Sequence, residues 1–555
     1  MENFLLPANG MARPVGPIVL AILDGIGWGP EDGGNAVHLA VKPNLKRLWQ
    51  DSPTRTLRAH GTAVGMPSDA DMGNSEVGHN ALGAGRVFRQ GAALVQDAIG
   101  SGRIWQTAAW QWLIEPLRNK PDATLHLCGL LSDGNVHAHI DHVFALIRQA
   151  RSAGVRRIRI HALADGRDVA DPSFDHYIEQ LQAVLDEDPS CDAALASGGG
   201  RMRVTMDRYE ADWRIVERGW QAHVHGNAPQ FPNIKAALQT LRAAPEGGSD
   251  QTLDAFVITD ARGEPVGPVR EGDSFVLWNF RGDRAIELSQ AFDLDDFPYF
   301  SRGQRPDVRF AGMMQYDGDL HVPARYLVEP PVIERTLGEY LAAQRLRTFA
   351  CSETQKFGHV TYFWNGNRSG VLAPEFEEYA EVTSDRIAFD QAPAMKCKEI
   401  TDLVIEALSR SPRPDFVRLN YANGDMVGHT GNLAATVKAV EYVDHEIGRL
   451  RQEVERLHGI LIVTADHGNA DDMWMRDGKG RPVQRGSGVQ PKTSHTLAPV
   501  PLTIMDARAS PPWSMRDDQP NAGLAQVAAT ILALFGLEKP GDYQDSLIQA
   551  SCSAP

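Results

Sequence analysis

The sequence predicts an α/β protein with mainly parallel sheets, and three observations support this class. Short, continuously apolar runs that are typical of buried strands alternate with amphipathic stretches of helical periodicity. Several of these runs end beside a polar or charged residue, which is where open parallel sheets bind their ligands. The chain has 555 residues, more than one hydrophobic core usually supports. We therefore expect two large α/β domains.

Six predicted strands define the framework, and most lead into residues with catalytic or ligand-binding chemistry. In chain order they are Ile18–Leu23, before Asp24; Leu125–Leu131; Arg157–Leu163, before Asp165–Asp168; Phe275–Phe280, before Arg281; Phe416–Tyr421, before Asp425; and Ile460–Thr464, before Asp466 and His467. Helical patterns lie between them, for example over 143–153 and 433–458. Exposed loops are expected at 247–250, 302–307 and 478–492.

The composition restricts the partners that the protein can bind. With 43% hydrophobic and 23% charged residues, the chain has the profile of a soluble globular protein, and its formal net charge of −16 argues against a nucleic-acid or anionic-membrane surface. The five cysteines form no Cys-x-x-Cys pair, so neither a disulfide framework nor a thiolate zinc site is predicted. The first twelve residues do not resemble a signal peptide, and no apolar run approaches the roughly 18 residues of a membrane span. We expect a cytoplasmic protein with neither a nucleic-acid nor a membrane partner.

The stretch Asp71-Met-Gly-Asn-Ser-Glu-Val-Gly-His79 places one serine, Ser75, among small and polar residues. Its glycines predict a loop that brings backbone close to a ligand. A serine hydroxyl needs activation to act as a nucleophile. No Gly-x-Ser-x-Gly motif surrounds Ser75 and no histidine base is evident, so a metal ion is the expected activator. The alternative is a surface turn that merely contains a serine.

Seven oxygen or nitrogen donors suited to a metal ion lie towards the two ends of the chain: Asp24, Ser75, Asp425, His429, Asp466, His467 and His495. Carboxylate and hydroxyl oxygens together with imidazole suit Mn²⁺, Mg²⁺, Co²⁺ or Zn²⁺. Seven donors exceed the needs of one four- or five-coordinate ion, so two divalent ions are expected. Taken singly, each aspartate also fits a helix N-cap and each histidine a structural hydrogen bond.

The strand 18–24, the segment Asp69-Ala-Asp-Met-Gly-Asn-Ser-Glu-Val-Gly-His-Asn80, Asp425 with His429, Asp466-His467-Gly468 and His495 resemble cofactor-independent phosphoglycerate mutases of the alkaline phosphatase superfamily. The resemblance covers nearly the whole chain. It implies interconversion of 3-phosphoglycerate and 2-phosphoglycerate, in glycolysis and gluconeogenesis, without 2,3-bisphosphoglycerate and through a transient phosphoserine at Ser75. It also implies a monomer that binds a small phosphoglycerate substrate.

The same resemblance divides the donors between two metal ions. One ion is expected at Asp24, Ser75, Asp466 and His467, and the other at Asp425, His429 and His495. Mn²⁺ is our first choice for both, with Mg²⁺, Co²⁺ and Zn²⁺ as alternatives that the ligand types also permit.

The middle of the chain contains a competing metal motif. Residues 137–142 spell His-x-His-x-Asp-His, a zinc signature of metallo-β-lactamase-like hydrolases, which would make His137, His139, Asp141 and His142 ligands. The chain continues directly into a helical pattern and no second ligand set follows nearby, which disfavours that interpretation. In the mutase family a similar Gly-x-Val-His-x-His segment supplies a substrate-binding histidine that matches His137, and His139 and His142 are then structural.

Arginines provide the other signals in this region, because the planar guanidinium suits carboxylate and phosphate oxygens. Most arginines in proteins instead form surface ion pairs. By resemblance, the substrate contacts are His137, Arg167, Asp168, Arg201, Arg208, Arg281, Arg284 and Lys356, and the catalytic residues are Ser75, Asp168 and Lys356. Asp168 is the candidate acid/base. Two departures from the family pattern are a longer glycine run before Arg201 and Gln355 in place of a common glutamate.

The order of these motifs predicts the domain organisation. Residues 1–89 and 329–555 would form a discontinuous, phosphatase-like catalytic domain that binds metal, because its ligands lie at both ends of the chain. Residues 90–328 would form an inserted phosphotransferase domain that caps it and binds substrate. Two connecting segments make a natural hinge for closure.

Two other functions remain open at this point. The first is a metal-dependent phosphatase or another phosphomutase of the same superfamily. Phosphopentomutase is the nearest, although by resemblance its nucleophile is threonine and its inserted domain is smaller. The second is a non-catalytic phosphosugar-binding or scaffold protein, which would require that metal binding fails.

Overall fold

The computed structural model describes residues 4–551 except 67, 90, 121, 208–211, 245–248, 317–320, 330–332 and 486–487. The chain divides into two compact units. Unit 1 comprises Met1–Gln90 and Val332–Pro555, and unit 2 comprises Gly91–Pro331. Each unit contains helices and a mainly parallel sheet, so the predicted α/β class is confirmed. The functions assigned to the two parts of the chain stay predictions.

The strands, in chain order, are β1 Ile18–Leu23, β2 Thr54–Leu57, β3 Leu125–Leu130, β4 Arg157–Ala164, β5 Asp192–Gly200, β6 Gln230–Phe231, β7 Phe256–Ile258, β8 Ser274–Leu277, β9 Arg309–Met314, β10 Tyr326–Val328, β11 Thr348–Glu353, β12 Glu377–Val382, β13 Phe416–Tyr421, β14 Ile460–Thr464, β15 Gln484–Arg485, β16 Gly488–Val489, β17 Val500–Asp506, β18 Trp513–Met515 and β19 Ile548–Ala550.

The α-helices are α1 Ala36–Leu39, α2 Pro43–Asp51, α3 Ser75–Ala84, α4 Gly91–Gly100, α5 Ala108–Asn119, α6 Ile140–Ser152, α7 Phe174–Leu185, α8 Trp213–His223, α9 Ile234–Ala243, α10 Ile286–Asp293, α11 Leu337–Ala343, α12 Thr354–Gly358, α13 Cys397–Ser409, α14 Asn423–Gly428, α15 Leu433–Arg456 and α16 Gln526–Leu534. Single turns of 3₁₀-helix cover Gly61–Val64, Arg103–Gln106, Asp250–Thr252 and Phe389–Gln391, and a π-helical turn covers His359–Phe363.

The sheet of unit 1 has seven strands in the order β12-β11-β13-β1-β14-β17-β2. The strands from β12 to β14 are parallel, whereas β17 and β2 run antiparallel to their neighbours. Every residue of β1, β13 and β14 is buried, so both faces of the central sheet are covered. This explains why these strands are almost continuously apolar. The carboxyl ends of four adjacent strands, β11, β13, β1 and β14, lead into the segments that carry Lys356, Asp425, Asp24 and Asp466.

The sheet of unit 2 has eight strands in the order β10-β9-β8-β3-β4-β5-β7-β6. The run from β10 to β5 is parallel, and β7 runs antiparallel to β5. The carboxyl ends of its four central strands, β8, β3, β4 and β5, precede Arg281, His137, Arg167 and Arg201 in that order. Each unit therefore collects its predicted site residues at one edge of its own sheet.

Several local predictions need correction. The segment around Ser75 is not a loop throughout, because α3 begins at Ser75 itself. The predicted loop 478–492 contains the short antiparallel pair β15 and β16. The strand predicted over 275–280 lies at Ser274–Leu277. Beyond it, the side-chain oxygen of Asn279 accepts a hydrogen bond from the Leu130 amide, in place of a backbone carbonyl. In the part of the chain that the structure describes, no helix combines the length and apolarity needed to cross a bilayer.

Candidate active site

Ser75 is the first residue of α3, and its side chain is buried. Asn74 caps the helix by accepting a hydrogen bond from the Val77 amide. A helix N-terminus favours negative charge, so this position suits an incoming phosphoryl group. Ser75 Oγ lies 3.0 Å from His467 Nε2 and 3.3 Å from Asp24 Oδ1, and it also accepts a hydrogen bond from Lys356 Nζ.

The six other predicted metal ligands come together around this serine. Two groups of three residues could each hold a metal ion, because the three ligand atoms within a group all lie within 4.8 Å of one another. The first group is Asp24, Asp466 and His467, and the second is Asp425, His467 and His495. His429 adjoins the second group, with Nε2 2.9 Å from Asp425 Oδ1 and 3.0 Å from His495 Nε2. His467 thus belongs to both groups.

The imidazole rings are oriented as metal ligands require. Nδ1 of His429, His467 and His495 lies 2.6, 3.2 and 2.9 Å from the carbonyl oxygens of Thr493, Gly468 and Gly73, respectively, and donates to them. The Nε2 atoms therefore face the carboxylates, and those of His429 and His495 face each other. In the neutral rings that bind metal, these nitrogens are acceptors. Acceptors placed against acceptors need a cation between them, so the donor set fits divalent metal ions.

The charges of this cluster lead to the same conclusion. Burial opposes ionisation of Asp425 and Asp466, yet His429 with Lys356, and His467 with His79, hold the pKa of these two carboxyls below its usual range. Burial also opposes protonation of His467, but Asp466 and the neighbouring aspartates raise its pKa to about 9. Three buried carboxylates thus attract positive charge. A metal ion would compete with the His467 proton for that place.

Sequence reasoning missed the residues that hold the ligands in place. Asn420 donates to Asp24 Oδ2 at 2.8 Å and Asn469 donates to Asp425 Oδ1 at 3.0 Å. His79 lies 3.3 Å from Asp466 Oδ2 and donates to the Ser75 carbonyl. Asn420 gave a signal in the sequence, because it is a polar residue inside an otherwise largely apolar strand.

Two glycines allow the close approach of these segments. Gly25 has a φ of 75°, and a Cβ there would lie 2.7 Å from the backbone nitrogen of Asp425. A Cβ at Gly78, on the first turns of α3, would lie 2.7 Å from the carbonyl oxygen of Asp466. Any larger side chain would push two ligand-bearing segments apart.

Unit 2 buries a second charged cluster at the edge of its sheet. Arg167, Arg201, Arg281 and Arg284 are each at most 6% exposed, and so is His137. Arg281 Nε lies 3.0 Å from Asp283 Oδ1, and the same oxygen is 3.5 Å from His137 Nδ1. Arg284 donates to the Met206 carbonyl at 2.8 Å. Guanidinium groups suit carboxylate and phosphate ligands, although two of these four, Arg201 and Arg281, are already paired with aspartates.

Asp165 organises the loop after β4 and was not predicted as a site residue. Its Oδ1 accepts from the amides of Arg167 and Asp168 and from the guanidinium of Arg201 at 2.7 Å, and its Oδ2 accepts from Ser132. Arg201 also pairs with Asp168. Burial and the charge of Asp168 raise the pKa of Asp165, although Arg201 opposes this. The candidate acid/base is therefore part of a buried ion network.

One predicted substrate contact and the disfavoured zinc motif do not enter either described cluster. Arg208 falls outside the described residues. The His-x-His-x-Asp-His motif forms no three-residue metal group in the described ranges. His139 instead caps α6, where its Nδ1 accepts from the Asp141 amide, and His142 is buried against Phe280.

Comparison with known proteins gives consistent matches over nearly the full length. A family model described as the Metalloenzyme superfamily matches residues 16–539. The chain is 52% identical over 538 residues to a 2,3-bisphosphoglycerate-independent phosphoglycerate mutase of Trypanosoma brucei brucei, covering 96% of this chain and 97% of that protein. It is 49% identical over 539 residues to a protein of the same name from Mesembryanthemum crystallinum, covering 96% of each. The structure of Leishmania mexicana phosphoglycerate mutase at low cobalt concentration aligns with a TM-score of 0.96 and 51% identity, over 99% of this chain and 100% of that one.

Proposed function

The chain belongs to the 2,3-bisphosphoglycerate-independent phosphoglycerate mutases of the Metalloenzyme superfamily, and we propose that Ser75 carries the phosphoryl group as it interconverts 3-phosphoglycerate and 2-phosphoglycerate. The observation that supports this assignment is the convergence of Lys356, His467 and Asp24 on the Ser75 oxygen. A buried serine at a helix N-terminus, beside an ammonium group that lowers the energy of its anion, is suited to nucleophilic attack.

We assign the metal-binding role to the two ligand groups of unit 1. Asp24, Asp466 and His467, with Ser75, would hold one divalent ion, and Asp425, His429 and His495 the other. Bound there, such ions would lower the pKa of the serine hydroxyl and offset negative charge on phosphoryl oxygens. Mn²⁺ is our first choice, and the mixture of carboxylate and imidazole ligands also permits Mg²⁺, Co²⁺ and Zn²⁺.

The residues of unit 1 carry out the transfer in two halves. Ser75 attacks as its alkoxide: Oγ forms a bond to phosphorus while the bond from phosphorus to the glycerate 3-oxygen breaks, and in the return step Ser75 leaves as the alkoxide again. Lys356 donates hydrogen bonds to the phosphoryl oxygens and offsets the charge that develops on them. The return step reverses these bonds, with the glycerate 2-oxygen as nucleophile and Ser75 as leaving group.

The residues of unit 2 bind the glycerate between the two halves. Arg281 and Arg284 would pair with its carboxylate, since paired guanidiniums give directional, charge-assisted hydrogen bonds. Asp168 would give a proton to the departing 3-oxygen and take one from the attacking 2-hydroxyl. Arg201 positions Asp168 through their ion pair. His137 and Arg167 complete the substrate contacts that we propose.

A coupled assay tests the reaction itself. Conversion of 3-phosphoglycerate, followed through enolase, should proceed with Mn²⁺ present and without added 2,3-bisphosphoglycerate. Removal of metal by EDTA should abolish it, and addition of Mn²⁺ should restore it. Turnover after chelation that metal analysis shows to be complete would contradict the two-metal assignment. The monomeric state and the cytoplasmic location stay predictions, to be tested by sedimentation and by fractionation of cells.

A further inference from the structure

A continuous chain of hydrogen-bonded side chains crosses the interior of unit 2. In order of contact its members are Asp273, His126, His161, Ser197, His223 and Thr205, each at most 2% exposed. Successive polar atoms are separated by 3.1, 3.0, 2.7, 2.7 and 2.9 Å. We name these six residues the buried histidine chain. None of them belongs to the catalytic or substrate-binding residues assigned so far.

The sheet aligns the first members of this chain. His126 lies on β3, His161 on β4 and Ser197 on β5, three adjacent parallel strands. The register between β4 and β5 shifts at His161, which places Ser197 directly opposite it. The His126 and His161 rings stack with centroids 5.3 Å apart and an interplanar angle of 16°, and Phe275 packs parallel to both. The rings are therefore held in one orientation.

Asp273 determines which atoms donate along the chain. Its Oδ1 accepts from the Thr124 amide at 2.7 Å and its Oδ2 from the Arg270 amide at 2.8 Å. The carboxylate is an acceptor at both oxygens, so Nε2 of His126 must donate to it. Burial lowers the pKa of His126, keeps that of His161 well below its usual value and lowers that of His223 to about 3. All three rings are therefore neutral, each with one donor and one acceptor nitrogen.

The direction then follows link by link. His126 Nδ1 accepts from His161 Nε2, and His161 Nδ1 accepts from the Ser197 hydroxyl. Ser197 Oγ accepts from His223 Nδ1, and His223 Nε2 accepts from the Thr205 hydroxyl. The Asp273 carboxylate at one end thus determines that the Thr205 hydroxyl donates at the other end. Every side-chain nitrogen and oxygen of the buried histidine chain has a hydrogen-bond partner.

Thr205 needs such support because its backbone is in the left-handed region, with a φ of 71°. That conformation is unfavourable for a β-branched residue. Its amide donates to the Ile215 carbonyl at 2.9 Å, and Gly219 of α8 leaves room for its hydroxyl, since a Cβ at Gly219 would lie 2.1 Å from Thr205 Oγ1. The next residue, Met206, supplies the carbonyl that accepts from Arg284.

We propose that Thr205, oriented by the buried histidine chain, is a positioning residue for the substrate-binding guanidinium of Arg284. The hydroxyl of Thr205 holds the turn at 205–206, and the turn aims the Met206 carbonyl at Arg284. This inference rests on the proposed function, because Arg284 matters to catalysis only where unit 2 binds phosphoglycerate.

The kinetic test compares two substitutions at one position. Thr205→Val keeps the shape and branching but removes the donor, whereas Thr205→Ser keeps the donor. We expect Thr205→Val to raise KM for 3-phosphoglycerate about tenfold with a smaller change in kcat, because Arg284 is displaced and Ser75 is not. Thr205→Ser should stay near the parent. Thr530→Val, which removes an equally buried and hydrogen-bonded hydroxyl in unit 1, serves as the matched control and should leave KM unchanged. A parental KM for Thr205→Val would overturn the proposal.

Ser197→Ala tests whether the buried histidine chain is needed, and Arg284→Ala tests the proposed function of Arg284. Ser197→Ala interrupts the chain two links from Thr205 and should also raise KM. A parental KM for Ser197→Ala, together with a raised KM for Thr205→Val, would show that Thr205 acts without the buried histidine chain. It would overturn the proposal that this chain orients Thr205. If Arg284→Ala itself has no effect, the proposed function of Arg284 fails. If Arg284→Ala raises KM but Thr205→Val does not, only the present inference fails.

A measurement on the unsubstituted protein does not depend on the folding of any variant. Nitrogen-15 spectra of uniformly labelled protein, in which the ring signals are assigned through their correlations with the assigned backbone, report which ring nitrogen carries the proton. We expect the proton on Nε2 in His126 and His161 and on Nδ1 in His223, unchanged from pH 6 to pH 8. A proton on the opposite nitrogen in any of the three rings, or on both nitrogens, would overturn the directed chain.

Discussion

The ammonium group of Lys356 lies 2.7 Å from Oδ2 of Asp425, whose other oxygen, Oδ1, lies 2.9 Å from His429 Nε2 and 3.1 Å from His495 Nε2. One carboxylate therefore connects the second group of candidate metal ligands to the lysine that contacts Ser75. Lys356 also lies 2.8 Å from Asp24 in the first group. The lysine and the metal ions that we propose would thus balance the same buried negative charge.

Replacing this lysine should separate its catalytic role from its charge-balancing role. We expect Lys356→Met to lower kcat by about 10²–10³, the usual loss when one preorganised donor to a developing oxyanion is removed. Without metal the variant should also be less stable, because its carboxylates lose their counter-ion. Mn²⁺ should therefore raise its Tm by more than it raises the Tm of the parent.

The measurement is thermal unfolding with EDTA and with Mn²⁺, alongside the coupled assay. Lys398→Met, which removes an exposed lysine paired with Asp402, is the control and should change neither quantity appreciably. Equal metal-induced shifts in the parent and in Lys356→Met would argue that the lysine does not share the charge of the metal cluster.

Ser75→Ala should abolish both phosphoenzyme formation and mutase turnover, because the other groups of the cluster cannot hold the phosphoryl group covalently. Mass spectrometry after a pulse of 3-phosphoglycerate should find phosphate on Ser75 of the parent and none on the variant. Ser274→Ala, which removes a buried hydroxyl of unit 2 that donates to the Leu113 carbonyl, should retain the phosphoserine. More than a few per cent of parental turnover in Ser75→Ala would identify a different nucleophile.

The sequence predicted which residues gather at the carboxyl edge of each sheet better than it predicted which contacts they make there. Asp24, Asp425 and Asp466 follow buried strands, and the carboxyl ends of parallel strands in one sheet share an edge, so their proximity followed from local patterns. The roles of Asn420 and Asn469 did not follow, because nothing local shows which carboxylate an amide will reach.

The contacts of the buried histidine chain in unit 2 could not be predicted, because they depend on how distant strands pair. His126 and His161 are 35 residues apart in the chain, and their contact depends on which strands are neighbours and on the shift between β4 and β5. The start of α3 at Ser75 was missed for a different reason. The glycines around that serine favour a loop, but the Asn74 cap and packing against Asp466 outweigh that preference.

Glu353, at the end of β11, should make stability depend on pH. Burial raises its pKa to about 7 from an ordinary value of 4.5, although Ser384 donates to it at 2.8 Å. Because the folded-state pKa is raised, the unfolded chain loses this proton first as pH rises. The folded state is therefore progressively destabilised from about pH 4.5 to 7, by roughly 3 kcal/mol in total.

Glu353→Gln removes this ionisation and should thus stabilise the protein at pH 8 while having little effect at pH 5. The measurement is the difference in denaturation midpoint between variant and parent at the two pH values. The matched control is Glu375→Gln, at an exposed glutamate in the same unit, which reports the effect of the substitution itself. A difference that is the same at both pH values for Glu353→Gln would contradict the raised pKa.

We predict that Arg281 and Arg284 make the protein a mutase rather than a phosphatase. A phosphoserine is open to attack by water, which would release glycerate and inorganic phosphate, so a mutase must retain glycerate until its second hydroxyl attacks. Replacing both arginines with alanine removes charge-assisted contacts worth about 1.5–3 kcal/mol each. Glycerate should then escape about tenfold more often for each 1.4 kcal/mol of lost retention.

We therefore expect mutase activity to collapse in the double variant while phosphate release from 3-phosphoglycerate persists or rises relative to it. Both products are measured in one reaction, and Arg262→Ala, at an exposed arginine of unit 2, is the control. A proportional fall in both activities would instead assign the pair to substrate capture before the first transfer. Parental values for both activities would remove Arg281 and Arg284 from the substrate site, since a buried guanidinium pair that binds glycerate cannot be lost without changing how long glycerate stays bound.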